Sequence, residues 1–210
     1  MLRYLTSGES HGQSLISIID GLPSNVELNF DEINAELKKR QCGYGRGGRM
    51  KIESDKVNIL GGVRGKKTLG GPVSIEVKNR DYQNWTEYMA PMDDVDFETR
   101  KVDNVRPGHA DLVGCLKYDF TDARNVLERS SARETASRVA VGAICKQVLK
   151  NFDIDFVSHV IQIGNVKDEN VYDFDYIKNN VDSSEVRCAN KDMEAKMIAQ
   201  IDEIKNERDT

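Results

Sequence analysis

Apolar residues in this chain fall into short runs separated by glycine, proline and polar turns, a pattern typical of small strands mixed with helices. The run Leu15-Ile16-Ser17-Ile18-Ile19 predicts a buried strand, and Asp20-Gly21-Leu22-Pro23 predicts the turn that closes it. Three further segments flanked by paired glycines predict a meander of short strands: residues 50–52, 57–60 and 73–77.

Helical spacing appears in two segments of the chain. Ile33 and Leu37 lie four residues apart on one helix face, with Asp31 as the predicted N-cap and basic residues near the end at Arg40. Residues 192–207 predict an amphipathic helix whose apolar stripe is Met193, Met197, Ile201 and Ile204.

A third helix is predicted from Ser131 to about Lys150. Ser131 and Glu134 have the spacing of a capping box, and the small residues Ala136, Ala140, Gly142 and Ala143 predict close packing against a neighbour. Residues 154–163 alternate and predict a strand, and residues 80–100 predict an irregular surface excursion. Together these elements predict a mixed α+β fold, and we interpret residues 1–210 as a single domain.

Composition narrows the function. Of 210 residues, 39% are apolar and 31% charged, with a net charge of -5 that argues against nucleic-acid or membrane-surface binding. No apolar run has membrane-spanning length, and the N-terminus lacks a signal-peptide core. The four cysteines are scattered, which favours reduced thiols in the cytoplasm over a metal site or a disulfide framework.

Two of the three histidines lie in short constrained blocks, Gly8-Glu9-Ser10-His11-Gly12 and Arg106-Pro107-Gly108-His109-Ala110-Asp111. Histidine titrates near neutral pH, so each is a candidate general acid or base. Asp111 either orients the His109 imidazole or caps a helix that begins there. The alternative for both histidines is local hydrogen bonding or turn chemistry, and His159 is interpreted as structural.

Arginines supply two candidate anion sites. Arg40, Arg46 and Arg49 are interspersed with glycines, an arrangement that lets several guanidinium groups converge on a phosphate or carboxylate. An RGG-like RNA-binding segment and a plain glycine-rich turn are the alternatives. The second site is Arg129-Ser130-Ser131, which is predicted to lead into a helix N-terminus that binds phosphate. The alternative is an ordinary capped helix start, but Arg129 and Arg133 are unfavourable at that positive end unless an anion or an acidic partner is present.

Four blocks in order give the chain a specific resemblance. They are Thr6-Ser7-Gly8-Glu9-Ser10-His11-Gly12, then Arg40-Gln41-Cys42-Gly43-Tyr44-Gly45-Arg46-Gly47-Gly48-Arg49-Met50, the block around His109, and Arg129-Ser130-Ser131-Ala132-Arg133-Glu134-Thr135-Ala136-Ser137-Arg138. Together they resemble the chorismate synthase family.

The resemblance implies a reaction and a fold. Chorismate synthases remove phosphate from 5-enolpyruvylshikimate 3-phosphate, with loss of a ring proton, by a net 1,4-elimination that needs reduced FMN. It also implies a β-α-β sandwich, a homotetramer, a cytoplasmic location, and NADPH as a reductant in members that reduce their own flavin.

The same resemblance implies roles for individual residues. His11, supported by Ser10, would protonate the departing phosphate, and His109 would protonate or stabilise the reduced flavin, although the two histidine roles can be exchanged. Substrate anions would be held by Arg40, Arg46, Arg49, Arg106 and Arg133. FMN would be bound by Arg129, Ser130 and Ser131, and NADPH by Arg40 and Arg46.

Length is the departure from the family. Chorismate synthases are much longer than this chain, and further flavin contacts come from their C-terminal part. We therefore expect a truncated chain that carries most of the substrate site and part of the flavin site. An inactive fragment that retains partial substrate binding is the alternative.

Overall fold

A four-stranded antiparallel sheet forms the centre of the computed structural model, which describes residues 1–47 and 52–207. Its strand order is β1 (Arg3–Ser7), β2 (Ser14–Asp20), β7 (Val73–Lys78) and β4 (Val57–Gly61). A three-stranded sheet joins β3 (Ser24–Glu27), β6 (Lys67–Leu69) and β5 (Val63–Arg64). The hairpin of β8 (Gln162–Ile163) and β9 (Val166–Lys167) lies later in the chain.

The helices follow the sequence pattern in part. They are α1 (Phe30–Gln41), α2 (Thr86–Met89), α3 (Asp111–Tyr118), α4 (Arg124–Ser130), α5 (Thr135–Lys150), α6 (Phe174–Asn180) and α7 (Lys191–Glu207). Short 3-10 turns cover Arg80–Asn84, Ala132–Glu134 and Val181–Ser183. Mixed sheets and helices confirm the α+β prediction, with α1 and α5 packed together beside the four-stranded sheet. None of the helices in the described part of the chain is long and apolar enough to span a membrane.

One core lies between the four-stranded sheet and helices α1 and α5. Alternate residues of β2 and β7 point into it, because successive side chains of a strand face opposite sides. The predicted face of α1, Ile33 and Leu37, is fully buried there, and so are Ala136 and Ala140 of α5. The small residues let α5 approach the sheet closely, as the sequence predicted, except that Gly142 faces away from this contact.

A second core surrounds α7. Met197 of the predicted stripe is fully buried, and Met193 and Ile201 pack against the same cluster. Tyr44 joins this cluster and donates its hydroxyl to Asp202 at 2.7 and 2.8 Å. This contact ties the turn at Tyr44 and Gly45 to α7.

Two helix caps differ from the sequence predictions. The N-cap of α1 is Asn29, whose side chain accepts from the amides of Asp31 and Glu32, so Asp31 lies inside the first turn where its charge suits the helix dipole. The capping box at Ser131 is also wrong. Ser131 Oγ accepts from the Arg133 amide, whereas the Glu134 carboxylate binds Thr6 and Arg138.

Of two further strand predictions, one is wrong and the other lies mostly outside the described residues. Residues 154–163 do not form the predicted strand, because only residues 162 and 163 pair and Ile154, Phe156 and Ile161 remain exposed. The predicted strand 50–52 lies outside the described residues except for Ile52, which is in a turn. Residues 80–100 form the irregular segment expected, with only the turn Arg80–Asn84 and α2 as regular elements.

Helices α3 and α4 pack closely because Gly114 has no side chain. A Cβ atom at Gly114 would lie 2.4 Å from Val126 Cγ1, whereas one at Gly142 in α5 would meet nothing within 4 Å. Both alanine variants gain about the same helix propensity, roughly 1 kcal/mol. We therefore expect Gly114→Ala to be less stable than Gly142→Ala by about 1–3 kcal/mol, the cost of overpacking. Urea unfolding of both variants measures the difference, and equal stabilities would contradict the packing.

Candidate active site

The loop that carries His11 connects β1 to β2 and is held by a tight turn at Gly8 and by hydrogen bonds from Ser10. Gly8 has a φ of +104°, and a Cβ atom there would lie 2.3 Å from the Ser14 carbonyl, so the turn requires glycine. Buried Ser10 donates its amide to the Glu128 carbonyl and its hydroxyl to Ser131 Oγ at 3.0 Å. Ser10 and Ser131 therefore lie together, 121 residues apart in sequence.

Asn79 ties the same loop to the end of β7. Its side-chain amide donates to the Glu9 and Gly12 carbonyls at 3.0 and 2.7 Å, on either side of His11. The Asn79 carbonyl oxygen in turn accepts from Arg133 Nε at 2.8 Å. The side chains of Asn79 and Arg133 are both buried, so these hydrogen bonds hold the loop backbone in place.

Glu128 of α4 is the direct partner of the His11 imidazole. Its carboxylate oxygens lie 2.9 and 3.0 Å from His11 Nδ1, and Oε2 also accepts the His11 backbone amide at 2.8 Å. Burial raises the pKa of Glu128, but hydrogen bonds and charge from His11, with a bond from Arg124, outweigh burial and leave that pKa below its ordinary value. Glu128 is therefore an ionised, buried carboxylate at neutral pH.

Trp85 covers the His11 ring. The two ring centroids are 3.9 Å apart and tilted by 31°, and Trp85 belongs to the irregular segment after β7. Two guanidinium groups, Arg100 and Arg124, lie over the Trp85 ring at 4.8 and 5.4 Å from its centroid. The histidine thus has an aromatic wall backed by positive charge.

His109 stands in a second cluster at the start of α3. Buried Asp111 lies 2.6 Å from His109 Nδ1 and also binds the Arg106 side chain at 2.8 and 3.0 Å. The hydrogen bonds from Arg106 hold the pKa of Asp111 well below its usual range. Of the two roles predicted for Asp111, the structure supports orientation of the imidazole, since the N-cap position is Ala110.

The predicted arginines divide into buried and accessible groups. Arg40 and Arg133 both bind buried Asp55, and Arg133 also reaches Glu53, so acidic partners neutralise them within the chain. Arg46 is exposed and Arg106 is about half exposed. Arg49 lies outside the described residues.

The Arg129 block differs from its predicted setting. Arg129 and Ser130 end helix α4, which was not predicted, while Ser131 caps the 3-10 turn Ala132–Glu134 that leads directly into α5. A basic residue suits that end of a helix. Arg129 donates to the Thr6 and Gly8 carbonyls and lies 3.9 Å from the Glu134 carboxylate, and its side chain stays partly exposed. Beside it, a cavity of about 410 Å³ between α3 and α4 is lined by Val113, Tyr118, Phe120, Arg129 and Ser130 among others.

Sequence reasoning did not select several residues of this site: Asp55, Asn79, Trp85 and Glu128. Glu128 contacts His11 across 117 residues of sequence, so no local pattern indicates the pair. Trp85 carried a weak signal as the chain's single tryptophan in an otherwise polar segment. His159, interpreted as structural, lies 6.3 Å from the Tyr172 ring, away from the groups above.

Comparison with known proteins identifies the family. The family model described as chorismate synthase matches residues 2–210. The chain belongs to the chorismate synthase family. It is 54% identical over its whole length to a chorismate synthase of Alkaliphilus metalliredigens and 51% identical to one of Staphylococcus epidermidis. A crystal structure of chorismate synthase superposes with a TM-score of 0.73 at 38% identity, covering 98% of this chain.

The match covers only part of each relative. The chain spans 55% of the length of these two chorismate synthases and 54% of the solved chain. The blocks around His11, Arg46, His109 and Arg133 all lie within the matched residues. The family resemblance and its fold class are thereby confirmed, while the residue roles implied by it stay predictions.

Acid unfolding reports on Glu128. Its pKa is lowered in the folded state, so its ionised form adds stability above the unfolded value of about 4.3, and this is lost as pH falls through the folded pKa. Glu128→Gln takes up no proton there. The free energy of unfolding of each protein is referred to its own value at pH 7. Between about pH 5 and pH 3, we expect this free energy to fall less in Glu128→Gln than in wild type. Urea unfolding at several pH values measures this, and parallel acid limbs would contradict it.

Proposed function

We propose that this chain forms part of a chorismate synthase active site, which eliminates phosphate from 5-enolpyruvylshikimate 3-phosphate and yields chorismate. The observation that carries the proposal is the family match over residues 2–210, with a loop histidine set against a buried carboxylate inside the matched region. Elimination of phosphate needs an acid for the leaving group, and His11 has the chemistry for it. His109, oriented by Asp111, is proposed to hold the proton that stabilises the reduced flavin.

Substrate anions are proposed to bind the accessible arginines first. Arg46 and Arg106 present guanidinium groups to solvent, and a bidentate fork suits phosphate and carboxylate. Arg49 is proposed for the same role from the sequence. Arg40 and Arg133 were assigned to substrate as well, but their contacts with Asp55 favour a supporting role in which they fix the loop that carries His11.

The cavity between α3 and α4 supports a flavin contact. Its mostly apolar lining, which includes Arg129 and Ser130, suits an aromatic, anionic group, and its size is typical of a ligand pocket. Arg129, Ser130 and Ser131 are proposed to hold FMN, and Arg40 and Arg46 to hold NADPH where the flavin is reduced in place. Reduced flavin supplies electron density transiently to the elimination. A homotetramer in the cytoplasm is proposed by resemblance.

Phosphate release under anaerobic conditions tests the proposal. The 210-residue chain is given 5-enolpyruvylshikimate 3-phosphate and chemically reduced FMN, with oxidised FMN as the matched control. Release that depends on reduced flavin supports the proposal, and His109→Ala should then reduce it strongly. If the folded chain releases no phosphate, a version extended to the length of its relatives is assayed in the same way, and no release there as well overturns the proposed reaction.

A further inference from the structure

Glu128 contacts both the backbone amide and the imidazole ring of His11. One oxygen accepts the His11 amide at 2.8 Å, yet both oxygens also lie within 3.0 Å of the imidazole Nδ1. Arg124 adds a bond to Oε1 at 3.3 Å and so holds the carboxylate through a second side chain. The side chain of Glu128 is 1% exposed, which excludes bulk water from the contact.

An ionised carboxylate only accepts hydrogen bonds, so the ring nitrogen that faces it must carry a proton. We propose that Glu128 is a positioning residue that holds His11 in its Nδ1–H form and thereby makes Nε2 the atom that exchanges a proton with a ligand. Its catalytic consequence rests on the proposed function. As an acid, the imidazolium gives its Nε2 proton to the leaving phosphate, and the neutral ring that remains keeps Nδ1–H bonded to Glu128.

The ring environment supports this orientation. Trp85 lies against the face of the imidazole, so rotation of the ring away from Glu128 would also disrupt that stack. Glu128 immediately precedes Arg129 and Ser130 in α4, so one helix carries both the group that orients His11 and the residues proposed to contact flavin. A displacement of α4 would therefore move both together.

Nitrogen-15 NMR of histidine-labelled protein reads the tautomer without any activity. The three histidine spin systems are assigned with His11→Asn and His159→Asn variants, and spectra are recorded at alkaline pH. We expect a protonated Nδ1 and an unprotonated Nε2 for His11 in wild type. In Glu128→Met, which keeps the side-chain length but removes the carboxylate, His11 should shift towards the Nε2–H form that free imidazole favours in water.

The controls separate orientation from general disruption. Glu134→Gln alters a nearby carboxylate that binds Thr6 and Arg138, and it should leave the His11 tautomer unchanged. An Nε2–H signal for wild-type His11, or an unchanged tautomer in folded Glu128→Met, overturns the proposal. If Glu128→Met does not fold, the wild-type spectrum alone decides.

Steady-state kinetics provide a second test of the proposal. In the preparation that releases phosphate, Glu128→Met, which keeps no acceptor for Nδ1–H, should lower kcat by roughly 10²-fold with KM little changed, because the acid is misoriented while the arginines remain. A raised KM at full kcat contradicts a positioning role. Failure of wild type to release phosphate would overturn the proposed reaction and leave the tautomer result standing, so the two failures are distinguishable.

Discussion

Replacement of His11 by alanine is expected to lower flavin-dependent phosphate release by about 10²–10⁴-fold, the usual contribution of a general acid. The residue lies in a loop that Ser10 and Asn79 fix through buried hydrogen bonds, so the backbone remains in place without the imidazole. The loss should appear in kcat and in kcat/KM together, since proton transfer belongs to the transition state. Phosphate release with reduced FMN measures it.

A second substitution separates chemistry from folding. Alanine leaves buried Glu128 without the imidazole donor, so some loss of stability accompanies the variant. His11→Asn places an amide donor near the position of Nδ1 and removes the other ring nitrogen. We expect His11→Asn to be more stable than His11→Ala and equally inactive, while His159→Ala keeps its turnover. Activity near wild type in folded His11→Asn would remove His11 from the reaction.

The elements that sequence predicted well are those in which local pattern and burial agree. β2, β7 and α1 each bury the apolar face that their spacing indicates, and α7 buries Met197 with Met193 and Ile201 partly buried around it. The alternation in residues 154–163 had no such support, because alternation does not supply a partner strand and the apolar side chains there stay exposed. β1 was missed for the opposite reason: it lies at the end of the strand order, its residues are mostly exposed, and it pairs with β2.

The sequence predicted the motifs of the candidate site but not the contacts between distant residues that hold those motifs together. Histidine and arginine blocks stand out because glycine and proline surround them, and the family resemblance rests on them. Their carboxylate partners do not stand out, since Glu128 and Asp55 occupy ordinary polar stretches. Asp111 is the exception, because it lies two residues from His109 and within reach of local reasoning. Contacts across more than 70 residues, such as that between Arg133 and Asp55, depend on the completed fold.

Asp55→Asn is expected to be among the most destabilising single changes in this chain, at about 3–5 kcal/mol. The Asp55 carboxylate is fully buried and binds both Arg40 and Arg133. An amide of the same shape keeps one acceptor and loses the charge, so two buried guanidinium groups lose their shared counter-charge, and Glu53 stays 3.7 Å from Arg133. Uncompensated buried charge is costly because water cannot solvate it.

Urea unfolding measures the loss of stability in Asp55→Asn, and Asp20→Asn is the control because it makes the same substitution in an exposed ion pair. Asp20 pairs with Arg3 at the surface at 3.3 Å, and loss of such an exposed pair is worth less than about 1 kcal/mol. The effect of Asp55→Asn should also reach the active-site loop, since Arg133 holds Asn79 and Asn79 holds the carbonyls of Glu9 and Gly12. Equal stability losses in the two variants would show that Arg40 and Arg133 do not depend on Asp55. That result would overturn the supporting role proposed for the two arginines and leave the substrate-binding role that the family resemblance implied for them as the alternative.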